Sequence, residues 1–169
     1  MTVTQLNRAD REAFTDAVGF AFEDSPWIAE AVWELRPFES VDDLHARMVA
    51  IVEQAPSEKQ IALICAHPDL AGRVAREGRL TPASRDEQGS AGLDSLSPQE
   101  IVRFEALNGA YRARFGFPFV ICARENAKDS ILAEPETRAR NAPEREIAKA
   151  VQEIAKIARL RLHDAVQNG

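Results

Sequence analysis

The feature that most constrains this chain is its punctuation. At regular intervals a serine or proline opens a stretch in which apolar residues recur every three or four positions, the period of an α-helix. Ser25-Pro26 sets a capping serine before a proline suited to the first helical position, and Trp27, Ile28, Ala31, Val32 and Leu35 follow on one face. Ser40 with Asp43 opens a second helix with the stripe Leu44, Met48, Ile51, Val52 and Ala55. Ser57 with Gln60 reads as a capping box leading into Ile61, Leu63 and Ile64. Ser97-Pro98-Gln99-Glu100 has both a first-turn proline and a glutamate three past the cap; its helix runs through Ile101, Phe104, Asn108, Tyr111 and Phe115 and stops at Gly116. An earlier helix is expected over 10–21, with Ala13, Phe14, Ala17, Val18 and Ala21 inward. The last begins near Pro143, continues to about Val166 and turns Ile147, Val151, Ile154, Ala158 and Leu162 inward.

No convincing alternating strand occurs. The short apolar run 117–123 has nothing to pair with, so it reads as a buried extended segment or the opening of a helix. The expectation is an all-α fold of about six to eight helices without a sheet. A chain of 169 residues buries enough surface for one domain over 1–169. The longest break between helices is expected at 81–95, where Pro82, Ser84, Gly89, Ser90 and Gly92 cluster; a long loop in a compact domain is often functional.

Composition excludes several roles. A net charge of -6 and a pI near 5.2 speak against a nucleic-acid partner. The charge is uneven, with 12 acids against 5 bases over 1–60 and 5 against 7 over 136–169. That asymmetry is too mild for a polyanion partner and fits solvated helix faces. No apolar run reaches about 18 residues, so no membrane span is expected. Two cysteines form no disulfide framework, and the N-terminal residues carry no cationic-then-apolar signal, so a cytoplasmic protein is expected. Phosphate-loop, His-Glu-x-x-His, Cys-x-x-Cys and Gly-x-Ser-x-Gly patterns are absent from the sequence. Cys65-Ala66-His67 has no further ligand-type neighbours, so no metal site is expected.

Chemistry then falls to few residues. His45 and His163 lie within amphipathic helices, where a surface or boundary role suffices. His67 ends the apolar run 61–66 and precedes Pro68, a position pushed out of helical geometry. Its imidazole either caps a helix C-terminus or projects into a pocket. Ser84-Arg85-Asp86-Glu87 likewise reads two ways. As structure it is a capping box; as function it offers the Glu87 carboxylate beside Gln88.

Taken in order, the fragments Ala66-His67-Pro68-Asp69-Leu70-Ala71-Gly72, Ser84-x-x-Glu87-Gln88-x-x-Ala91-Gly92-Leu93 and Asn108-x-x-Tyr111-x-x-x-Phe115-Gly116-Phe117-Pro118-Phe119 closely resemble the decarboxylases of 2-oxo-4-hydroxy-4-carboxy-5-ureidoimidazoline (OHCU) in urate breakdown. Phe22-Glu23-x-Ser25-Pro26-Trp27 and the stretch from Glu146 to Leu162, with Ile157-Ala158-x-x-Arg161-Leu162, are similar to the family's as well. The resemblance runs from about Leu6 to Val166, and several motifs in the right order are more specific than any one of them.

The resemblance implies an all-helical, cofactor-free carboxy-lyase, usually dimeric, that releases CO2 from OHCU and protonates the product to (S)-allantoin. It further implies that His67 is the catalytic histidine, that Glu87 holds the substrate hydroxyl and orients the imidazole, and that Pro68, Ser84, Arg85, Asp86 and Gln88 contact substrate. The stretch Phe119, Val120, Ile121, Cys122 and Ala123 is implied to bind the ureido arm through its backbone, and Arg161 to lie near the pocket. If Ser84 caps a helix, the amides of 85–87 assist with negative charge. Two other classes stay open. One is a decarboxylase or lyase acting on a related ureido acid; the other is a non-catalytic helical interaction module.

Overall fold

The fold is described from a computed structural model, which describes residues 1–70 and 78–169. Among these residues there are nine α-helices and no strand; the expectation of an all-helical chain holds. They are α1 (Val3–Arg8), α2 (Arg11–Val18), α3 (Trp27–Trp33), α4 (Val41–Gln54), α5 (Ser57–Ala66), α6 (Pro82–Ser90), α7 (Pro98–Phe115), α8 (Lys128–Arg138) and α9 (Pro143–Ala165). Short 3-10 turns occupy Gly19–Ala21 and Ala123–Glu125. The described chain divides into two compact units: Met1–Ala66 with Ile154–Gly169, and His67–Glu153.

In the first unit α2, α3 and α4 pack in succession and α5 follows on α4. The core holds Leu6, Phe14, Val18, Ile28, Val32, Leu44, Met48, Val52, Leu63 and Ile64, joined by Ile154, Ile157, Ala158 and Leu162 of α9. Phe14 and Phe38 stack with ring centroids 5.9 Å apart. His45 Nε2 lies 2.8 Å from the Ala155 carbonyl; a carbonyl only accepts, so Nε2 carries the hydrogen, and burial lowers this histidine's pKa. His163 pairs with Asp42 at 2.9 Å. Both histidines thus have structural partners within this unit.

Several local expectations hold. Ser40 caps α4 by accepting from the Asp43 amide at 3.0 Å. Ser97 and Glu100 form the expected reciprocal box. Gly116 closes α7 at φ +79°, a left-handed position that suits glycine. Others need correction. The N-cap of α3 falls on Pro26, with no side-chain cap from Ser25. Ser57 is the first residue of α5, and the Gln60 side-chain Nε2 donates back to the Val52 and Glu53 carbonyls at 2.9 and 3.2 Å; orphan acceptors at the end of α4 attract it more than its own helix start. Ala13, Ala31 and Leu35 are exposed rather than inward: α2 and α3 are short and bury narrow stripes centred on Phe14, Ile28 and Val32, and Leu35 lies past the end of α3.

The second unit contains α6, α7, α8 and α9 up to Glu153. The expected break at 81–95 is instead mostly helix. Thr81, not Ser84, is the N-cap, its hydroxyl accepting from the Ser84 amide at 3.3 Å, and Pro82 takes the first helical position. At the other end the Leu93 amide donates to the Gln88 carbonyl and Gly92, at φ +76°, to Gly89. That is a Schellman closure, with Leu93 buried beneath it. Proline and glycine here mark the ends of a helix rather than a loop. Pairing on α7 and α8 completes the unit; α8 lies where the sequence offered neither a capping side chain nor a proline-free run, since its cap is Ala127 and Pro135 sits inside it.

Candidate active site

His67 is the first residue of the second unit, immediately after α5 ends at Ala66. It stands at the expected helix-to-loop corner and is 5% exposed. The turn that follows is fastened to α7. Asn108 donates its side-chain amide to the Leu70 carbonyl at 2.9 Å, and Arg112 pairs with Asp69 at 3.0 Å. The Asn108 anchor is buried, so this bond is shielded from competing water. The motif's final residues, Ala71 and Gly72, lie outside the described residues.

On α6, Ser84 and Gln88 are buried, Glu87 is half-buried, and the side chains of Arg85 and Asp86 are exposed. The spacing of 84 and 88, one helical turn, puts the two buried polar groups on one face. A capping role for Ser84 is overturned by Thr81, and with it the assistance expected from the amides of 85–87. These amides lie inside the helix; Arg85 N–H already donates to the Thr81 carbonyl at 2.9 Å. The carboxylate of Glu87 is thereby released from the reciprocal box that a Ser84 cap would have required.

The run 117–123 adopts the extended alternative. Residues 118–122 have no regular secondary structure, every residue from Phe117 to Ala123 is buried, and a 3-10 turn begins at Ala123. That turn packs on α6, which brings the helix carrying Ser84 and Gln88 to the same part of the unit as 119–123. Burial pushes the Cys122 thiol up to about 11, with the Glu125, Glu153 and Glu87 carboxylates adding to the effect. The Glu87 charge is thus felt at Cys122.

Two buried charged side chains, neither expected as site residues, hold the extended backbone. Arg138 Nη1 donates to the Val120 carbonyl at 2.7 Å, and Glu153 accepts from the Cys122 amide at 3.0 Å. Arg138 is 2% exposed and Glu146, its carboxylate partner at 2.6 Å, is fully buried. Tyr111 donates its hydroxyl to the same Glu146, and Asn141 donates to the other carboxylate oxygen at 2.9 Å. Burial, then this hydrogen bond, raises the Tyr111 pKa. The sequence carried a signal for part of this: 146, 150, 153, 157 and 161 fall on one helical stripe of α9, all buried, and three of them are charged.

Arg161, the third charged member of that stripe, belongs to the first unit. It pairs with Glu23 at 2.8 Å and donates to the Phe20 carbonyl at 3.1 Å, both partners of the pair being almost wholly buried. A cavity of about 400 Å³ also opens in the first unit, lined by Arg11, Glu12, Thr15, Asp16 and Glu30. It contains none of the expected residues, and its three carboxylates oppose an anionic substrate. Among the described residues no cluster of three or more His, Cys, Asp or Glu side chains has metal-binding geometry, and no helix is long and apolar enough to cross a membrane.

Among the described residues the fold defines a small all-helical domain with a buried histidine at a helix corner. The family follows from comparison. A model of the OHCU decarboxylase family matches residues 7–163, and this chain belongs to that family. It is 45% identical over 162 residues to the 2-oxo-4-hydroxy-4-carboxy-5-ureidoimidazoline decarboxylase of Haloferax volcanii, covering 96% of this chain and 94% of that one. The Mus musculus enzyme of the same name is 40% identical over 164 residues, covering 97% and 92%. Among solved structures, (S)-allantoin synthase superposes with a TM-score of 0.78 at 31% identity, covering 98% of this chain but only 54% of that longer one. An OHCU decarboxylase crystallised in the presence of (S)-allantoin shares the fold, with a TM-score of 0.70 at 22% identity over 92% of this chain and 97% of that one.

The two cysteines give the site's burial a direct readout. Cys65 is exposed and Cys122 is buried with its thiol raised to about 11. At pH 8 iodoacetamide should alkylate Cys65 within minutes and leave Cys122 unmodified, as peptide mass spectrometry will register. Comparable labelling of both would contradict the enclosed 119–123 segment.

Proposed function

We propose that this chain decarboxylates OHCU to (S)-allantoin, without a cofactor, in urate degradation. The observation that carries the reading is the family match over 7–163, together with near full-length identity of about 40% or more to decarboxylases of that name. The assignment of roles is supported by a buried His67 and by the packing of α6 on the 3-10 turn Ala123–Glu125 that follows the 119–123 run.

In the reaction the bond between the ring carbon and the carboxylate breaks and CO2 leaves. The electron pair spreads into the adjacent C=N unit. The 4-hydroxyl gives up its proton as its carbon becomes a carbonyl, the former C=N nitrogen gains one, and the ureido-bearing carbon gains one on a single face. One proton is taken up for each CO2 released, so the balance needs no oxidant or reductant. Such a site needs a proton carrier whose pKa lies near neutrality, and histidine fits best. His67 handles the proton, and Glu87 holds the substrate hydroxyl and orients the imidazole. Ser84 and Gln88 bind the ring edge, and Pro68, Arg85 and Asp86 border it. Backbone groups of 119–123 bind the ureido arm. Donors set where charge develops stabilise the transition state more than the ground state.

The working protein is read as one catalytic domain over 1–169, cytoplasmic and homodimeric. The family resemblance supports the dimer. Light scattering at micromolar concentration should give about twice the 18.7 kDa chain mass; a species of one chain mass would contradict it.

The central test supplies OHCU in situ from urate and the two preceding enzymatic steps. Wild-type protein should speed OHCU loss and yield only the (S) enantiomer, and chelator should not change the rate. His67→Asn should slow turnover at least about 100-fold with the fold retained. Glu87→Gln should slow it about 10- to 1000-fold while melting temperature barely moves. Unchanged turnover in a folded His67→Asn protein would remove His67 from the mechanism. Turnover of a related ureido acid in place of OHCU would favour the neighbouring lyase reading.

A further inference from the structure

The extended run 119–123 poses a physical problem. It is buried, and among the described residues no strand exists to accept and donate its backbone hydrogen bonds. Buried backbone N–H and C=O groups must nonetheless be satisfied. Here two of them are met by charged side chains of opposite sign, Arg138 at the Val120 carbonyl and Glu153 at the Cys122 amide. The Cys122 carbonyl takes a third bond from the Asn126 side chain at 2.9 Å.

Arg138 is held more firmly than a single hydrogen bond requires. Its Nε lies 2.6 Å from Glu146, its guanidinium sits over the Phe119 ring at 4.5 Å, and Tyr111 and Asn141 complete the carboxylate's shell. Its remaining nitrogen, Nη2, is enclosed and makes no hydrogen bond among the described residues. A fully buried ion pair is a poor way to gain stability, because desolvating both charges offsets most of their attraction and apolar replacements often do as well. An arginine fork does something apolar residues cannot. It fixes the direction of a carbonyl relative to a second, rigidly held partner.

We propose that Arg138, clamped by Glu146, is a positioning residue for the decarboxylation: it holds the Val120 carbonyl and thereby sets the path of the 119–123 backbone that receives the substrate's ureido arm. This rests on the reading of 119–123 as the substrate-binding segment. Arg138 acts through that segment, so its loss should weaken substrate binding more than it slows the chemical step.

Two variants test this. Arg138→Lys keeps the charge opposite Glu146 but offers no rigid fork to serve Glu146 and Val120 together. The triple variant Arg138→Met/Glu146→Met/Tyr111→Phe removes the charges and the hydroxyl as a set, so that no buried charge is left without its counter-ion. In each, KM for OHCU should rise about 10-fold while kcat changes less than about 3-fold. Amide exchange in the 119–123 peptide should quicken at least about 10-fold, with α4 unchanged. Val52→Ala, a core truncation on α4, serves as control and should lower melting temperature without moving KM. Unchanged KM and exchange in folded variants would overturn the proposal. So would a KM that follows melting temperature in the control, or loss of folding in both variants, since the network would then carry the fold rather than place a segment. If wild-type protein fails to turn over OHCU, the functional reading falls by itself, and the exchange measurement still decides whether Arg138 sets the backbone path.

Discussion

A buried extended backbone inside an all-helical chain is the constraint around which the second unit is organised. Helices satisfy their own backbone, and sheets satisfy each other's; the residues 118–122 do neither. Each polar group of such a segment needs a dedicated partner, and a side chain able to reach it must be buried with it. The charges of Arg138 and Glu153 then require partners of their own, which Glu146 and Lys149 supply. Glu146 in turn accepts from Tyr111 and Asn141. One irregular stretch thus accounts for most of the buried polar side chains on α8 and the first part of α9.

The same logic gives α9 its character. Its apolar stripe of Val151, Ile154, Ala158 and Leu162 is ordinary core. Beside it runs a second buried stripe whose charged members, Glu146, Glu153 and Arg161, each face a specific partner. A helix that buries both stripes cannot tolerate register shifts, because a slip of one residue would strand three charges. Precision of this kind is what a site needs from its scaffold, since small displacements of binding groups cost rate.

Much of this was legible in the sequence, and the reasons differ by residue. The caps at Ser40 and Ser97 and the stop at Gly116 were readable because local chemistry alone decides them. His67 was readable as a corner because Pro68 forbids helical continuation. Helix α6 was misread as a loop because its end markers, Pro82 and Gly92, stand only nine residues of helix apart, and Gly89 and Ser90 dilute what lies between. Glu87 was drawn into a capping box by its spacing from Ser84, whereas Thr81 had the better geometry. The role of Arg138 was out of reach: its partners at 111, 119, 120 and 146 are distant in sequence, and nothing local distinguishes it from the exposed arginines nearby.

The proposed activity requires that α6 and the 119–123 backbone form one binding surface. The most direct measurement is a backbone amide NMR titration of the folded protein with (S)-allantoin, with the (R) enantiomer alongside. Amides of 84–88 and 119–123 should shift together, saturably, and with the (S) form preferred. Shifts confined to residues 11–16 and Glu30 around the acidic cavity of the first unit, or identical responses to both enantiomers, would contradict it.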